Sequence, residues 1–353
     1  MVDYTTGFNT FEEQDKVLVG LSGGVDSSVT VRILQEQGFY VQGAVVRFSP
    51  AHDAAVAAAR DCARALGITL HEIDAAALFE REVVSPFCES YCRGVTPNPC
   101  VLCNPAVKFR LLADQADALG FRYLATGHYA QVERCKDGVC RLCRAQSAER
   151  DQSYMLYRLD QSILSRLVLP LGAFSKDDVR EIAHDIALPC ADAPDSMEIC
   201  FIPDGDYAGF IAARGLADKP GHFIGPDGED LGPHAGVAHY TVGQRKGLGI
   251  AAGRPLFVKA IAENGNVLLA ESGGEFSRAI TLCGIATPDG KPLPAGDYQV
   301  KVRSAARPVA CVFDGARTVA FPEPVRAPAP GQSAVFYRGG FVLGGGFIEA
   351  AQA

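Results

Sequence analysis

Residues 16–21, Lys-Val-Leu-Val-Gly-Leu, run directly into Ser22-Gly23-Gly24-Val25-Asp26-Ser27-Ser28, and this junction constrains the chain more than any other stretch. The first part is short and apolar, the pattern of a parallel strand buried on both faces. After it, Val29, Ile33 and Leu34 recur at helical spacing. The seven residues between are therefore a strand-to-helix turn. Gly23 and Gly24 carry no Cβ, so backbone N–H groups can approach an anion closely. Ser22, Ser27 and Ser28 add hydroxyls, and the helix N-terminus behind them favours negative charge. The turn has the parts of a phosphate cradle. It is not G-x-x-x-x-G-K-[ST], because the lysine is missing, and it is not G-x-G-x-x-G. A bare Gly-Gly would read as an ordinary turn capped by Asp26; the full string between strand and helix favours the cradle.

The same alternation continues to about residue 130. Residues 40–46 read as a second strand, 51–66 as an Ala-rich helix stopped at Gly67, and 69–73 as a third strand. Residues 108–119 read as a helix stopped at Gly120, and 123–126 as a fourth strand entering Gly127-His128-Tyr129. This order predicts a doubly wound parallel sheet of the α/β class, with ligands at the carboxyl ends of the strands. The Ser22 loop and Gly127-His128 both fall at such ends. The connection between residues 73 and 108 is long, a sign of function or of hidden helix. From 170 to 221 the pattern is helical, with a capping box at Ser175 and Asp178. Beyond Pro220 it turns to period two, with a hairpin signal at Asn264-Gly265, which predicts an antiparallel β-barrel or sandwich. The expected domains are residues 14–165, a small mainly helical unit at 166–223, and a C-terminal β-barrel at 224–353.

Bulk properties narrow the function. The 353 residues allow two or three domains. No apolar run approaches about 18 residues, so no membrane span is expected. Residues 1–15 are polar and acidic without an apolar core, which predicts a cytoplasmic protein. Twelve cysteines in such a chain point to metal, redox or catalytic use rather than structural disulfides. A net charge of −8 argues against bulk capture of nucleic acid. A nucleic-acid partner would need local cations, with Lys108, Arg245, Lys246, Arg303 and Arg307 as candidates.

Cys100-Val101-Leu102-Cys103 is a C-x-x-C that suits a redox dithiol, a zinc half-site or an iron–sulfur half-site. Cys140-Arg141-Leu142-Cys143 is spaced to complete a zinc site, with Cys135, Cys88 and Cys92 as further candidates. Cys200, inside Ile199-Cys200-Phe201-Ile202, reads by itself as a buried thiol of a core strand. His128 by itself reads as structural or phosphate-contacting.

The motifs also occur in a recognisable order. Residues 22–28 resemble the PP-loop of ATP pyrophosphatases, which split ATP between the α- and β-phosphates. Thr96-Pro97-Asn98-Pro99-Cys100 through Asn104, Lys108-Phe109, Ala125 through Tyr129, Asp151 through Tyr154, Asp195-Ser196, Cys200-Phe201-Ile202, Gly243 through Gly249 and Pro330 through Tyr337 follow. Together they resemble the bacterial tRNA-specific 2-thiouridylase family over nearly the whole chain. The resemblance implies a tRNA-uridine 2-sulfurtransferase with a PP-loop (adenine nucleotide α-hydrolase-like) domain. ATP would adenylate the C2 oxygen of the wobble uridine, with Mg²⁺ on the phosphates and Asp26 as its ligand or orienter. A persulfide on Cys200 would then attack C2, and Cys103 would resolve it through a transient disulfide, at a site expected to lower the thiol pKa values.

By position, Gly20, Leu21, Ser22, Gly23, Gly24, Val25, Asp26, Ser27, Val46 and Gly127 match the family's ATP contacts. Asn98, Pro99 and Cys100 match the strip around the target base. His128, Asp151, Gln152, Ser153, Arg303, Ser304 and Gln332 match tRNA contacts. The implied partners are a tRNA anticodon stem-loop and a sulfur source, either a cysteine desulfurase or relay protein or inorganic sulfide. Cys100 departs from the family pattern, which has Asp there. Cys100, Cys103 and Cys200 could thus ligate a 4Fe–4S cluster that carries the sulfide. Two other readings remain: a PP-loop synthetase acting on a small molecule, and a zinc-stabilised tRNA-binding protein.

Overall fold

The computed structural model describes residues 15–195, 199–216, 218–250 and 252–352. The polar N-terminal stretch, apart from residue 15, and residues 196–198 lie outside these. The strands are β1 (Lys16–Gly20), β2 (Tyr40–Arg47), β3 (Leu70–Asp74), β4 (Tyr123–Thr126), β5 (Ala130–Arg134), β6 (Cys140–Arg144) and β7 (Leu167–Val168) in the first half of the chain. There follow β8 (Gly221–Ile224), β9 (Asp230–His234), β10 (Phe257–Ile261), β11 (Val267–Ala270), β12 (Phe276–Ala286), β13 (Gly296–Lys301), β14 (Val309–Phe313), β15 (Thr318–Arg326), β16 (Ser333–Arg338) and β17 (Phe341–Gln352).

The expected parallel sheet forms in the order β3-β2-β1-β4-β7. In the central strand, Val17, Leu18 and Val19 are all fully buried. Val17 and Val19 join a core with the helices Val25–Glu36, Asp53–Leu66 and Lys176–Asp185, whereas Leu18 joins one with Phe109, Leu112 and Ala116. Side chains alternate across a strand, so helices must cover both faces. The chain leaves β1 toward β2 on one side and pairs with β4 on the other, which opens a crevice at the carboxyl ends of β1 and β4. Gly67 and Gly120 stop their helices in the left-handed conformation, at φ 66° and 69°.

The long connection after β3 is largely helical, through Ala76–Phe79, a wide turn at Glu80–Val84, and Ser85–Cys92. Pro99–Cys103 is a short helix of its own, which passes through a wide turn at Asn104–Lys108 into Phe109–Leu119. The C-x-x-C therefore lies at the start of a nearly continuous helical run, closer than the sequence spacing suggested.

Past residue 220 the strands form two sheets rather than one. β10-β11-β8-β9 is a small sheet, and β12-β15-β14-β13-β16-β17 closes through β12–β17 pairing into a six-stranded antiparallel barrel. Strand β12 had no counterpart in the sequence reading. The β5–β6 hairpin extends the barrel sheet, with Cys143 opposite Phe341. Buried polar bonds fasten the barrel to the parallel-sheet unit. Tyr154 donates to the Ser333 carbonyl at 2.8 Å, and the buried Asp151 carboxylate faces Arg144 at 3.4 Å and Lys301 at 3.6 Å. Among the described residues, no helix is long and apolar enough to cross a membrane.

Candidate active site

The loop after β1 is shaped by bonds within itself. Ser22 N–H donates to Ser27 Oγ at 3.1 Å. The Ser27 and Ser28 hydroxyls donate to the Gly24 carbonyl at 3.1 and 3.0 Å. Ser28 is fully buried, so its hydroxyl holds the loop, while Ser22 is exposed. Gly23 has φ 81°, and a Cβ there would lie 2.7 Å from Ala59 N. Only glycine allows this loop to rest on the Asp53–Leu66 helix. Gly24 is the N-cap of Val25–Glu36 and provides no side-chain cap, which leaves the first N–H groups of the helix without a side-chain acceptor from the cap. Leu21 N–H donates to the Ala44 carbonyl at 2.8 Å, and Val25 is buried behind the turn.

Gly127, after β4, closes on the same loop. A Cβ on it would stand 2.7 Å from Ser27 N and 2.8 Å from the Asp26 backbone carbon. Gly20 likewise backs onto Leu112 and Thr126. Val46, near the end of β2, is half-buried where two cores meet. Asp26 accepts from the Tyr129 hydroxyl at 2.8 Å and from Lys176 Nζ at 2.6 Å, both at Oδ1. Burial and the Asp26 charge push the Tyr129 phenol strongly up, so it stays a donor. A lysine from far along the chain thus reaches the carboxylate of the loop. Neither Lys176 nor Tyr129 was among the expected site residues. The available signal was position: Lys176 is the first residue of its helix, where the dipole disfavours a cation unless acids surround it.

A second set of residues gathers beside the loop. Asn98 caps Pro99–Cys103, with its side chain accepting from Cys100 N–H at 3.2 Å. Pro99 and Cys103 are buried and Cys100 is half-buried. Cys103 packs in an apolar cluster with Phe79, Phe87, Val107, Phe201 and Ile202. Phe201 meets the rings of Phe79 at 5.4 Å, Phe87 at 5.2 Å and Phe210 at 5.5 Å. This anchor brings Cys200 to Cys103. Cys200 is not in a core strand, as its neighbours suggested; it lies in a turn and is exposed, and the apolar residues beside it take the buried places.

Cys100 raises both Cys103 and Cys200 electrostatically, Cys200 raises Cys103, and Lys108 lowers all three. Burial pushes Cys103 up to about 12, and the packing around its sulfur pushes Cys200 up to about 11, while Cys100 is also raised. The expected lowering is therefore not found. Desolvation outweighs the Lys108 charge, and all three are thiols near neutral pH. Lys108 also faces His128, linking the thiols to the phosphate loop through Gly127. Burial, then Lys108, pushes His128 well below its ordinary value, so the ring is neutral; it pairs with Thr126 Oγ1 at 2.7 Å and packs on Phe109.

The other expected contacts are placed differently. Asp151 and Ser153 are buried, their polar atoms spent on Ala145, Tyr337 and each other, because this is where the barrel docks. Gln152 accepts from Tyr129 N–H at 2.9 Å. Arg303 donates to the Ala327 and Val242 carbonyls at 2.6 Å each, so its guanidinium ties the barrel to residues 241–243, and Ser304 beside it is half-buried. Gln332 donates to the Thr96 carbonyl at 3.1 Å, a clamp on the segment entering Cys100. Arg245 and Lys246 are exposed.

Cys140 belongs to a core of Leu142, Tyr154 and Tyr157, away from the Cys103 cluster, so the two C-x-x-C pairs do not meet in one zinc site. Among the described residues, no three Cys, His, Asp or Glu side chains are arranged to hold a metal ion. Cys100, Cys103 and Cys200 form no such group, so no chemistry is routed through an iron–sulfur cluster.

Family models match three successive stretches: a tRNA methyl transferase HUP domain at residues 15–204, a tRNA methyl transferase PRC-barrel domain at 209–271, and an aminomethyltransferase beta-barrel domain at 286–348. The chain is 43% identical to the tRNA-specific 2-thiouridylase MnmA of Carboxydothermus hydrogenoformans, covering 95% of this chain and 97% of that one. It is 41% identical to the MnmA of Acetivibrio thermocellus, covering 95% and 99%. Among solved structures, a 4-thiouridine synthetase–RNA complex with bound ATP resembles 57% of this chain over 50% of its own, at 18% identity and a TM-score of 0.37.

Proposed function

Because this chain belongs to the tRNA-specific 2-thiouridylase family, the PP-loop tRNA sulfurtransferases, we propose that it converts the wobble uridine of tRNA to 2-thiouridine through ATP at residues 22–28 and sulfur on Cys200. The observation that carries the reading is the convergence of Cys103 and Cys200, ninety-seven positions apart, beside a phosphate loop linked to them by Gly127, His128 and Lys108.

In the first half-reaction the uridine C2 oxygen attacks the α-phosphate, pyrophosphate leaves, and C2–O–AMP forms. An unactivated carbonyl oxygen is a poor leaving group and AMP is a good one. The loop N–H groups bind the phosphates. Mg²⁺, when bound with ATP, would neutralise phosphate charge, and the Asp26 carboxylate, steadied at Oδ1 by Tyr129 and Lys176, is the protein group suited to hold it.

In the second half-reaction the outer sulfur of a Cys200 persulfide bonds to C2. The Cys103 thiolate attacks the inner sulfur, breaking the S–S bond and forming the Cys103–Cys200 disulfide. The electron pair left on the transferred sulfur expels AMP as C2=S forms. A thiol reductant resets the disulfide, after which a donor protein's persulfide passes its outer sulfur to the Cys200 thiolate and leaves as a thiol; where hydrosulfide is the source, it attacks the Cys200 sulfur of the disulfide directly, forming the persulfide and releasing the Cys103 thiolate. Both thiols are protonated at rest, so each must lose its proton to act, with Lys108 the cation placed to favour the thiolates. Asn98, Pro99 and Cys100 are proposed to border the flipped-out base, and His128, Gln152 and Gln332 to support the tRNA-facing rim. The exposed Arg245 and Lys246 supply phosphate contacts.

The test is mass spectrometry of tRNA after incubation with ATP, Mg²⁺ and a persulfide donor in iron-free buffer. One oxygen-for-sulfur exchange at the wobble uridine is expected, with pyrophosphate release that depends on tRNA. Pyrophosphate release driven by a small amine or acid instead, or sulfur transfer that requires added iron, would overturn the reading.

A further inference from the structure

Two thiols that the sulfur transfer does not use lie directly under the phosphate loop. Cys62 is on the Asp53–Leu66 helix, one turn beyond the Ala59 on which Gly23 rests, and its sulfur is 3.7 Å from the Gly23 carbonyl oxygen. Cys190 follows the Lys176–Asp185 helix, and its sulfur is 3.6 Å from Ser28 Oγ, the hydroxyl that holds the Gly24 carbonyl. Both belong to the core cluster of Val25, Val29 and Ala59. Though far apart in the chain, the two thiols hydrogen-bond to each other. That bond pulls Cys190 below its ordinary value against the effect of burial, and with burial it raises Cys62. Of the two, Cys190 is the one that yields a thiolate. It is also the more accessible, 6% exposed against 1% for Cys62. An oxidant small enough to reach Cys190 meets the thiolate first, with a sealed thiol in contact behind it.

We propose that Cys62 and Cys190 form a redox modification site, whose oxidation to a disulfide closes the phosphate loop to nucleotide. Hydrogen peroxide is the oxidant. The Cys190 thiolate attacks one peroxide oxygen, the O–O bond breaks, and Cys190 becomes a sulfenic acid while hydroxide leaves and takes up a proton as water. The Cys62 sulfur then attacks the Cys190 sulfur, the S–O bond breaks, the S–S bond forms, and the Cys62 proton leaves with the hydroxide as a second water. The disulfide has no S–H to donate, and its sulfurs are drawn to about 2.0 Å from each other, away from the Gly23 carbonyl and the Ser28 hydroxyl. Gly23 already packs too closely on Ala59 to admit a Cβ, so the shift passes into the loop. This inference rests on the reading of residues 22–28 as the ATP site. Sulfur transfer itself ends in a Cys103–Cys200 disulfide that must be reduced before the next turnover. Oxidation of the second pair stops ATP use under the conditions in which that reset fails.

The experiment uses the full chain as wild type, Cys62→Ala and Cys190→Ala, each reduced, then treated with hydrogen peroxide, then returned to dithiothreitol. Peptide mass spectrometry without reduction reads the linkage, and equilibrium binding of α,β-methylene-ATP with Mg²⁺ reads the loop. In the wild type a Cys62–Cys190 disulfide is expected, with affinity at least about tenfold weaker after peroxide and restored by dithiothreitol. Both variants retain Cys103 and Cys200 and can oxidise there as the wild type does, yet their affinity stays within about threefold. The wild-type linkage and its reversal are read without any variant, so the result does not depend on a variant's folding. Reduced wild type that binds no analogue overturns the reading of the loop as the ATP site. Reduced wild type that binds it, while peroxide yields no Cys62–Cys190 disulfide, a disulfide without loss of affinity, or a loss that both variants share, overturns the redox site alone.

Discussion

The phosphate loop and the thiol centre are built in opposite ways. Ser22, Gly24, Ser27 and Ser28 bond to one another, so seven consecutive residues hold the loop's shape. The thiol centre has no such local frame. Cys103 comes from a helix capped by Asn98, and Cys200 arrives from a turn whose place is set by Phe201 in a cluster built by residues 76–92. A preformed loop suits a step that binds an anion. An assembled centre suits a step in which two sulfurs must meet and later separate. The comparison predicts that damage at the thiols separates the half-reactions, whereas damage at the loop lowers both.

The largest effect is expected at the sulfurs. Cys200→Ser or Cys103→Ser lowers thiouridine formation by at least about 1000-fold while tRNA-dependent pyrophosphate release stays within about threefold. Parallel loss of both activities would break the distinction. Next is Gly23→Ala, which places a Cβ 2.7 Å from Ala59 N at φ 81°. It costs about 1–3 kcal/mol of strain and lowers both half-reactions together, by about 10- to 100-fold, as read by ATP affinity and by pyrophosphate and thiouridine yields. Phe201→Ala tests the assembled side. It destabilises by about 3–5 kcal/mol in denaturant melts, and in the folded fraction sulfur transfer falls about tenfold with ATP affinity unchanged.

Two smaller effects follow from protonation. With Cys200 raised to about 11, its alkylation rate in the nucleotide-free enzyme rises about tenfold per pH unit from pH 7 toward 10. A rate that levels off below pH 8 would refute the raised value. His128 is held neutral, well below its ordinary 6.5. The unfolded chain binds its proton more readily, so stability is whole above pH 6.5 and declines as pH falls below it. His128→Gln flattens that decline in melts between pH 6.5 and 5.

The loop, the parallel sheet and the strand-end position of Gly127 were legible because each rests on local pattern: an apolar run, two glycines, helical spacing. The hairpin at Asn264-Gly265 was legible for the same reason, and Gly265 takes φ 91°. Strand β12 was not, since its ladder partners in β15 and β17 lie more than thirty residues away. Nor was the split of the β-rich half into two sheets, which depends on β12 and β17 closing a barrel. Asp151, Ser153 and Arg303 were expected at the tRNA through their positions in the family's motif order, and docking of the barrel buries or occupies them. By itself, then, the sequence determined an α/β phosphate-binding unit followed by a β-rich half, and through its motif order the family. Tertiary structure alone decided that Cys103 and Cys200 stand together with raised pKa values, and that Lys176 pairs with Asp26 of the loop. Both results depend on burial and on charges brought from distant segments, quantities that spacing along a chain does not carry.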